Sequence, residues 1–90
     1  MPEGFLSSEE YDEAAHKLYN DGDYDGALEM LKEGLSLYPN AVELYVGLGY
    51  ARLAREEYAW ARHAFERAAI LDPGHDDALG VVPGVPEVRW

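Results

Sequence analysis

The sequence repeats itself at an interval of 34 residues. When the chain is aligned with itself at this shift, identical or like-sized residues coincide along two consecutive units. The identical pairs include Tyr11 with Tyr45, Tyr24 with Tyr58, Ala27 with Ala61, Leu37 with Leu71, and Pro39 with Pro73. A period of about 20–50 residues is typical of stacked structural units, in which each unit buries its apolar face against the next. The sequence therefore predicts two like units that lie side by side in the same orientation.

Apolar residues within each unit follow the spacing of helix faces. In the first unit, one stripe contains Tyr11, Ala15 and Leu18, at the i, i+4 and i+7 positions of a helix. A second stripe contains Ala27 and Leu31, and both stripes have counterparts 34 residues later. Ala and Leu are abundant and Thr is absent, a composition that favours helices over strands. We therefore predict an all-α chain with helices at residues 8–20, 24–37, 42–54 and 58–71.

Capping and terminating residues occur at the ends of these predicted helices. Ser7 and Glu10 have the spacing of a capping box for the first helix, and Asp23 suits the N-cap of the second. Pro39 and Pro73 each follow the second helix of a unit, where proline cannot continue a helix. Each unit is therefore predicted to be an antiparallel helix hairpin.

Shorter segments flank the two predicted hairpins. The segments, in order, are an N-terminal extension at 1–7, hairpins at 8–41 and 42–75, and an aborted third unit with a tail at 76–90. Pro83 arrives too early for a third full helix, and the last ten residues, with four Val and one Trp, predict a non-helical apolar tail. Three alternatives stay open for this tail: it covers the last helix, docks on another copy of the chain, or is a mobile, ligand-like segment.

The two units resemble the tetratricopeptide repeat (TPR) family. The residues that carry the resemblance are Gly22, Tyr24 and Ala27 in the first unit, and Tyr45, Leu48, Gly49, Tyr58, Ala61, Phe65, Ala68 and Pro73 in the second. The sequence departs from the family pattern at Ala14-Ala15, at Arg52 and at Glu56, which stands where a turn glycine is usual. The resemblance implies a short right-handed solenoid that serves as a non-catalytic protein-interaction module. The alternative is a structural domain that forms a homo-oligomer through its tail or its uncovered last helix.

The resemblance also implies a binding surface on the concave side, which the first helix of each hairpin lines. The candidate peptide-binding residues, all expected to be exposed there, are Asp12, His16, Tyr19, Asn20, Val46, Tyr50 and Leu53. Some family members bind the C-terminal carboxylate of chaperones with Lys, Asn and Arg at positions that are Asp12, His16 and Gly47 here, so that clamp is missing. The remaining apolar side chains favour a protein or peptide with apolar anchors and basic flanks. The competing interpretation is that the two tyrosines and the valine only complete the core.

The charge balance excludes several classes of partner. Seven Lys and Arg against eighteen Asp and Glu give a formal charge of −11, which repels nucleic-acid backbones and anionic membranes. We therefore expect neither nucleic acid nor membrane as a partner. Residues 1–41 hold ten acids and two bases, so most of the charge lies in the first hairpin. This charge is either a solvated face, or one side of a head-to-tail contact with arginines of another copy, namely Arg52, Arg55, Arg62 or Arg67.

No motif predicts an enzyme, a metal or another cofactor. The run from Asp21 to Gly26 resembles the start of a calcium loop, but Lys32 stands where a bidentate Glu is needed, which favours a turn and helix cap. The three histidines lie in different elements and assemble no zinc site. We expect a cytoplasmic protein, because there is no cysteine, no signal peptide and no stretch suited to a membrane span. A low content of Gln and Asn, with more Arg than Lys, is also typical of thermophiles.

Overall fold

The computed structural model describes residues 6–73, which form four helices and no strand. The helices are α1 (Ser8–Asn20), α2 (Tyr24–Leu37), α3 (Val42–Ala54) and α4 (Tyr58–Leu71). These bounds confirm the four helices predicted from the sequence. Residues 1–5 and 74–90 lie outside the described residues, so the alternatives for the tail stay predictions.

Side-chain caps begin both helices of the first hairpin. The Ser7 hydroxyl accepts a hydrogen bond from the Glu10 backbone N–H at 3.2 Å, and the Glu10 carboxylate accepts one from the Ser7 N–H at 2.8 Å. At the start of α2, the Asp23 carboxylate accepts a hydrogen bond from the Gly26 N–H at 2.9 Å. The predicted capping box and N-cap are therefore confirmed, whereas neither helix of the second hairpin has a side-chain cap at its start.

The four helices form two antiparallel hairpins that stack side by side. Helix α1 packs on α2 and α3 packs on α4, while α3 also contacts α1 and α2. A first apolar cluster joins the hairpins, and its buried residues are Tyr11, Ala15, Ala27, Leu28, Leu31, Leu44 and Ala51. A second cluster belongs to the second hairpin, and its buried residues are Val46, Tyr50, Ala61, Phe65 and Ala68. The predicted all-α architecture of stacked hairpins is confirmed.

Gly49 allows α4 to approach α3 closely. A Cβ atom at this position would lie 2.5 Å from two ring carbons of Phe65, which is closer than nonbonded carbon atoms approach. The Phe65 ring is buried and meets the Tyr50 ring edge-on, with 5.2 Å between the ring centroids. The missing side chain of Gly49 therefore makes room for the aromatic pair in the second cluster.

The two hairpin turns have the same backbone conformation. Gly22 has a φ of 85°, and Glu56, 34 residues later, has a φ of 62°. In each turn this residue donates a hydrogen bond to the carbonyl three residues before it, Gly22 to Tyr19 at 3.0 Å and Glu56 to Leu53 at 2.9 Å. The following residue donates to the carbonyl five residues before it, at 2.9 Å in both turns. Both first helices thus end in a Schellman motif, and Glu56 adopts a conformation that favours glycine.

An ion-pair network joins the second turn to the first hairpin. Glu57 Oε1 lies 2.9 Å from Arg52 Nη1 and 3.2 Å from Arg55 Nε. Arg55 also donates a hydrogen bond to Asp25, near the start of α2. The hydrogen bond from Arg52 and the charges of both arginines hold the pKa of Glu57 below its ordinary value of 4.5, although burial opposes this shift.

Adding a methyl group at position 49 is expected to destabilise the protein. In Gly49→Ala the new Cβ collides with the buried Phe65 ring, and overpacking of this kind lowers the free energy of unfolding by about 1–3 kcal/mol. This loss outweighs the gain in helix propensity, which is about 1 kcal/mol. Urea denaturation followed by circular dichroism measures the difference. Adding Phe65→Leu should recover part of the loss, and a Gly49→Ala chain as stable as the wild type would contradict the assigned contact.

The two turns offer a matched pair of substitutions. Glu56→Gly is expected to raise the free energy of unfolding by up to about 1 kcal/mol, because it removes the strain of a side chain at positive φ. Gly22→Ala is expected to lower the free energy of unfolding by about 1 kcal/mol, because it places a side chain at positive φ. A steric clash would not contribute, since a Cβ at this position contacts nothing within 4 Å. Thermal melting of both variants tests this, and shifts of the same sign would show that the turns are not equivalent.

The Glu57 network predicts a pH-dependent contribution to stability. Because folding lowers the pKa of Glu57, its contribution is present above the unfolded-state value and is lost as the pH falls through the folded-state value. The urea midpoint of Glu57→Gln should therefore lie below that of the wild type at about pH 7, and the difference should shrink as the pH falls below the ordinary pKa of 4.5. Arg52→Met removes the main cause of the shift, and its difference from the wild type should shrink in the same way. A separation of the midpoints that does not change with acidification would contradict this role.

Candidate functional site

Helix α1 carries four of the predicted binding residues on one face. Asp12, His16, Tyr19 and Asn20 have the spacing i, i+4, i+7 and i+8, which brings side chains to one side of a helix. The first three are partly buried and Asn20 is exposed. His16 and Asn20 also lie together on an open cavity of about 330 Å³, which is lined by Glu13, His16, Lys17, Asn20 and Asp21.

Tyr19 and Leu53 connect this face to α3. Both side chains are partly buried, and both pack against the second apolar cluster. Tyr19 also packs against the first cluster, and its ring meets the Tyr24 ring edge-on, with 5.3 Å between the centroids. Burial, and to a lesser degree the neighbouring Tyr24, raises the pKa of the Tyr19 phenol. The structure therefore brings two predicted residues from different hairpins to one apolar cluster.

Val46 and Tyr50 lie in the core, and the expectation that they are exposed is wrong. Each is only 3% exposed, and both belong to the second cluster with Phe65. Helix α3 has buried residues around most of its circumference, including the consecutive Gly49, Tyr50 and Ala51. A helix that is apolar on all sides packs on all sides. The uncharged run from Leu44 to Ala51 is the sequence signal that indicates this burial.

The face of α1 is strongly acidic. The helix holds four acids, Glu9, Glu10, Asp12 and Glu13, against the single base Lys17. Glu9, Glu10 and Glu13 are exposed. Charges of one sign on one helix attract cations and repel carboxylates over about 8–10 Å in physiological salt. This surface is therefore suited to basic groups.

The described residues contain little that suits catalysis or metal binding. Between residues 6 and 73 no group of three or more His, Cys, Asp or Glu side chains could hold a metal ion. The run that resembles a calcium loop forms a turn and a helix start, because Asp23 caps α2 and Asp25 lies inside it. Within the same part of the chain, no helix is long and apolar enough to cross a membrane.

Helix α4 exposes large apolar side chains that were not among the predicted site residues. Trp60 is 61% exposed, Ile70 is 67% exposed and Tyr58 is 50% exposed. The Arg52 guanidinium lies over the Trp60 ring, 5.5 Å from its centroid. The 34-residue repeat could have indicated these residues. Trp60 and Ile70 coincide with the small residues Gly26 and Ser36, so large apolar side chains are not required at these positions of the repeat.

Comparisons with known proteins agree with this architecture. The family model described as "Tetratricopeptide repeat" matches residues 18–80. Among solved structures, the type III secretion translocator chaperone SycD of Yersinia enterocolitica, crystallised as an alternative dimer, matches with a TM-score of 0.75 and 25% sequence identity. The match covers 79% of this chain and 54% of the SycD chain, so this chain spans about half the length of that chaperone.

No curated protein sequence matches the chain significantly. The family model nevertheless covers well over half of the residues, and it includes α2, α3, α4 and the end of α1. The structural match extends over a similar share of the chain. The chain therefore belongs to the tetratricopeptide repeat family.

Proposed function

We propose that the chain is a non-catalytic protein-interaction module that holds a polypeptide segment against the surface formed by α1 and α3. One observation carries the proposal: Tyr19 of α1 and Leu53 of α3 pack against the same apolar cluster, beside a strongly acidic helix face. Membership of the tetratricopeptide repeat family supports the same general function. Contact between α1 and α3 holds the two halves of the surface in a fixed relation.

The chemistry of this surface defines the segment that it fits. Tyr19 and Leu53 retain partly exposed apolar area, which suits an apolar anchor of the partner. Glu9 and Glu13 are exposed nearer the start of α1 and add negative charge along this helix, which suits basic residues beside the anchor. Rigid helices require little ordering when the segment binds, so more of the contact energy contributes to affinity. The partner is therefore a protein or peptide with apolar anchors and basic flanks.

The remaining predicted residues have two different roles in this proposal. Asp12, His16 and Asn20 supply polar contacts along α1. Val46 and Tyr50 support the surface from inside the core, since both are buried. A bound segment would therefore contact α1 more extensively than α3.

The comparison with SycD supports only the general part of this proposal. SycD is a type III secretion translocator chaperone. This chain spans 54% of that protein, so we carry over the binding of another polypeptide and nothing more specific. We also propose a cytoplasmic location as the default, because a chain without cysteine requires neither an oxidising nor a reducing compartment.

Structural self-association is the second candidate function. It is favoured by the exposure of Trp60 and Ile70 on α4, the last described helix. Large exposed apolar side chains on one helix are typical of a surface that is covered in the functional state. Association through the tail stays a prediction, because residues 76–90 lie outside the described residues.

Two synthetic peptides with the same apolar anchors test the primary proposal. One carries arginines on both sides of a Leu and Phe pair, and the other carries glutamates. Because α1 is acidic, the arginine peptide is expected to bind at least about tenfold more tightly and to lose affinity with added salt. Titration followed by ¹H–¹⁵N NMR measures both affinities and locates the shifted backbone amides, which should belong to α1 and to the end of α3.

Variants of the surface provide the controls. Leu53→Ala removes the apolar contact and is expected to weaken binding of the arginine peptide by about tenfold. Asp12→Asn should weaken it less and should reduce its salt dependence. Glu29→Gln is the matched control, since it removes one exposed carboxylate from α2 and should leave affinity unchanged. Equal binding of both peptides, or shifts confined to α2 and α4, would contradict the proposal.

A further inference from the structure

The second helix of each hairpin has a solvent-facing side that we call its outer stripe. The outer stripe of α2 consists of Gly26, Glu29, Lys32, Glu33 and Ser36, and that of α4 consists of Trp60, His63, Glu66, Arg67 and Ile70. All ten residues are exposed except Gly26, which is partly buried. The buried residues of each helix, such as Leu31 and Phe65, lie on its other side. Both outer stripes therefore lie outside the apolar clusters, although Glu33 accepts a hydrogen bond from Tyr11 and the Arg67 guanidinium lies over the Tyr45 ring, 5.9 Å from its centroid.

The two outer stripes have opposite charges at equivalent positions. At the 34-residue shift, Glu33 coincides with Arg67 and Lys32 coincides with Glu66. Residue size also differs in a complementary way, because the bulky Trp60 coincides with Gly26. The repeat preserves residue type at some buried positions, as with the alanines at 27 and 61, whereas the buried Leu28 coincides with the exposed Arg62. Because the outer stripes lie outside the apolar clusters, the fold itself does not require the difference between them.

This reversal matches one particular symmetric arrangement. Helices α2 and α4 each have 14 residues and begin at the same point of the repeat, so equivalent residues lie at the same level along the two helices. Hairpins of a tetratricopeptide stack share one orientation, so the two outer stripes lie on the same side of the molecule. A two-fold axis parallel to these helices sets α2 of one copy against α4 of the other. Residues along the middle of each stripe, such as Glu29 and Glu33, then face their own 34-residue equivalents, whereas Lys32 and Glu66 lie at the edge of their stripes and point to opposite sides of the contact.

We propose that a second copy of this chain docks on the outer stripes, with α2 of each copy against α4 of the other. In this arrangement Glu33 faces Arg67 of the second copy. Two-fold symmetry repeats this contact, which makes two ion pairs. Trp60 lies over Gly26 of the second copy, where the absence of a side chain leaves room for an indole ring.

The charges of the individual helices favour a second copy as the occupant. Helix α4 holds two arginines and one glutamate, and it is the only helix between residues 6 and 73 with a positive net charge. Its complement, three acids and one base, is already present on α2 of the same chain. Two of the four arginines considered for a head-to-tail contact are engaged within the chain, because Arg52 pairs with Glu57 and Arg55 pairs with Asp25. A closed pair through α2 and α4 leaves that network intact.

The size of the stripes sets the strength of this contact. Each 14-residue helix is about 21 Å long, and two adjacent helices are about 20 Å wide. Each copy therefore contributes about 400 Å², and the total of about 800 Å² is small for a protein interface, so we expect a weak, reversible dimer. The inference rests on the second candidate function, self-association, and assigns a surface to it.

Charge-reversed chains test the arrangement by mixing. Glu33→Arg places two cations opposite each other in its own dimer, and Arg67→Glu places two anions opposite each other. Each single variant is expected to dimerise at least about tenfold more weakly than the wild type, whereas an equimolar mixture of the two should recover wild-type affinity. Sedimentation equilibrium of the full chain, from about 1 µM to 1 mM, measures all four samples.

A second pair of variants controls for the possibility that Glu33→Arg unfolds the chain. The Tyr11 hydroxyl donates a hydrogen bond to Glu33 at 2.8 Å, so Glu33→Arg also removes a contact within the chain. Glu29→Arg and His63→Glu repeat the mixing experiment at exposed, facing positions without this contact. Circular dichroism establishes that each chain is helical, and recovery in either mixture supports the arrangement. Helical chains whose mixtures fail to recover in both pairs overturn it.

The apolar contact has its own matched control. Trp60→Ala is expected to weaken dimerisation by at least about tenfold, since it removes the largest side chain of the stripe. Tyr58→Ala removes another exposed aromatic residue of α4, two positions away and on another side of the helix, and should leave the dimer unchanged. Equal effects of the two substitutions overturn the assignment of the stripe.

The mass of the wild-type chain in solution distinguishes failure of the proposed arrangement from failure of self-association itself. A chain that stays monomeric to about 1 mM overturns both the arrangement and self-association. A dimer that survives Trp60→Ala and both charge reversals leaves self-association standing but overturns the outer stripes as its surface. A mass that rises beyond the dimer indicates head-to-tail assembly and also overturns the closed pair.

Discussion

Mutual burial of the two hairpins is the interaction on which the rest of this structure depends. A single hairpin of about 30 residues buries too small a fraction of its surface to be stable alone. Leu44 and Ala51 of α3 add buried apolar surface to the first hairpin, because they complete its apolar cluster. The same helix also packs on α4 and forms the second cluster. Helix α3 is therefore the element that makes one folded unit from two repeats.

The second hairpin is the less regular copy of the repeat, and its contacts offset this irregularity. Its helices lack the side-chain caps of the first hairpin, and Glu56 adopts the backbone conformation of a turn glycine. Around that turn, Arg52 and Arg55 hold the Glu57 carboxylate and connect it to Asp25 of α2. Exposed ion pairs contribute little individually, but a network around one carboxylate restricts the turn more than a single pair does. Repeat symmetry is thus preserved in the backbone while the stabilising contacts differ.

The central position of α3 also decides which surfaces remain for partners. Because α3 is buried on most sides, α1 provides most of the binding surface that we propose, and its acidic side chains determine the character of that surface. The outer stripes of α2 and α4 are separate from it, since they lie on the helices that follow α1 and α3 in each hairpin. One small stack therefore presents two surfaces of different chemistry, and occupation of one does not require the other.

Most of the fold can be predicted from the sequence because its signals are local. The 34-residue repeat, the helical spacing of apolar residues, the capping box of Ser7 and Glu10, and the turn residues each depend only on neighbours along the chain, and the helix bounds agree with them. The resemblance to tetratricopeptide repeats then implies the stacking, which the family match supports. The candidate site is predicted less well, because periodicity indicates on which face of a helix a residue lies but not what covers that face.

The sequence by itself determined the repeat, the four helices and the acidic balance of the first hairpin, because composition and short-range spacing are sufficient for these properties. Only the tertiary structure decided which apolar residues are available to a partner. Val46 and Tyr50 occupy the same helix positions in the repeat as Asp12 and His16, yet they are buried, whereas Trp60 and Ile70 are exposed. Solvent exposure depends on distant segments that pack against a helix face, and no local pattern of residues contains that information.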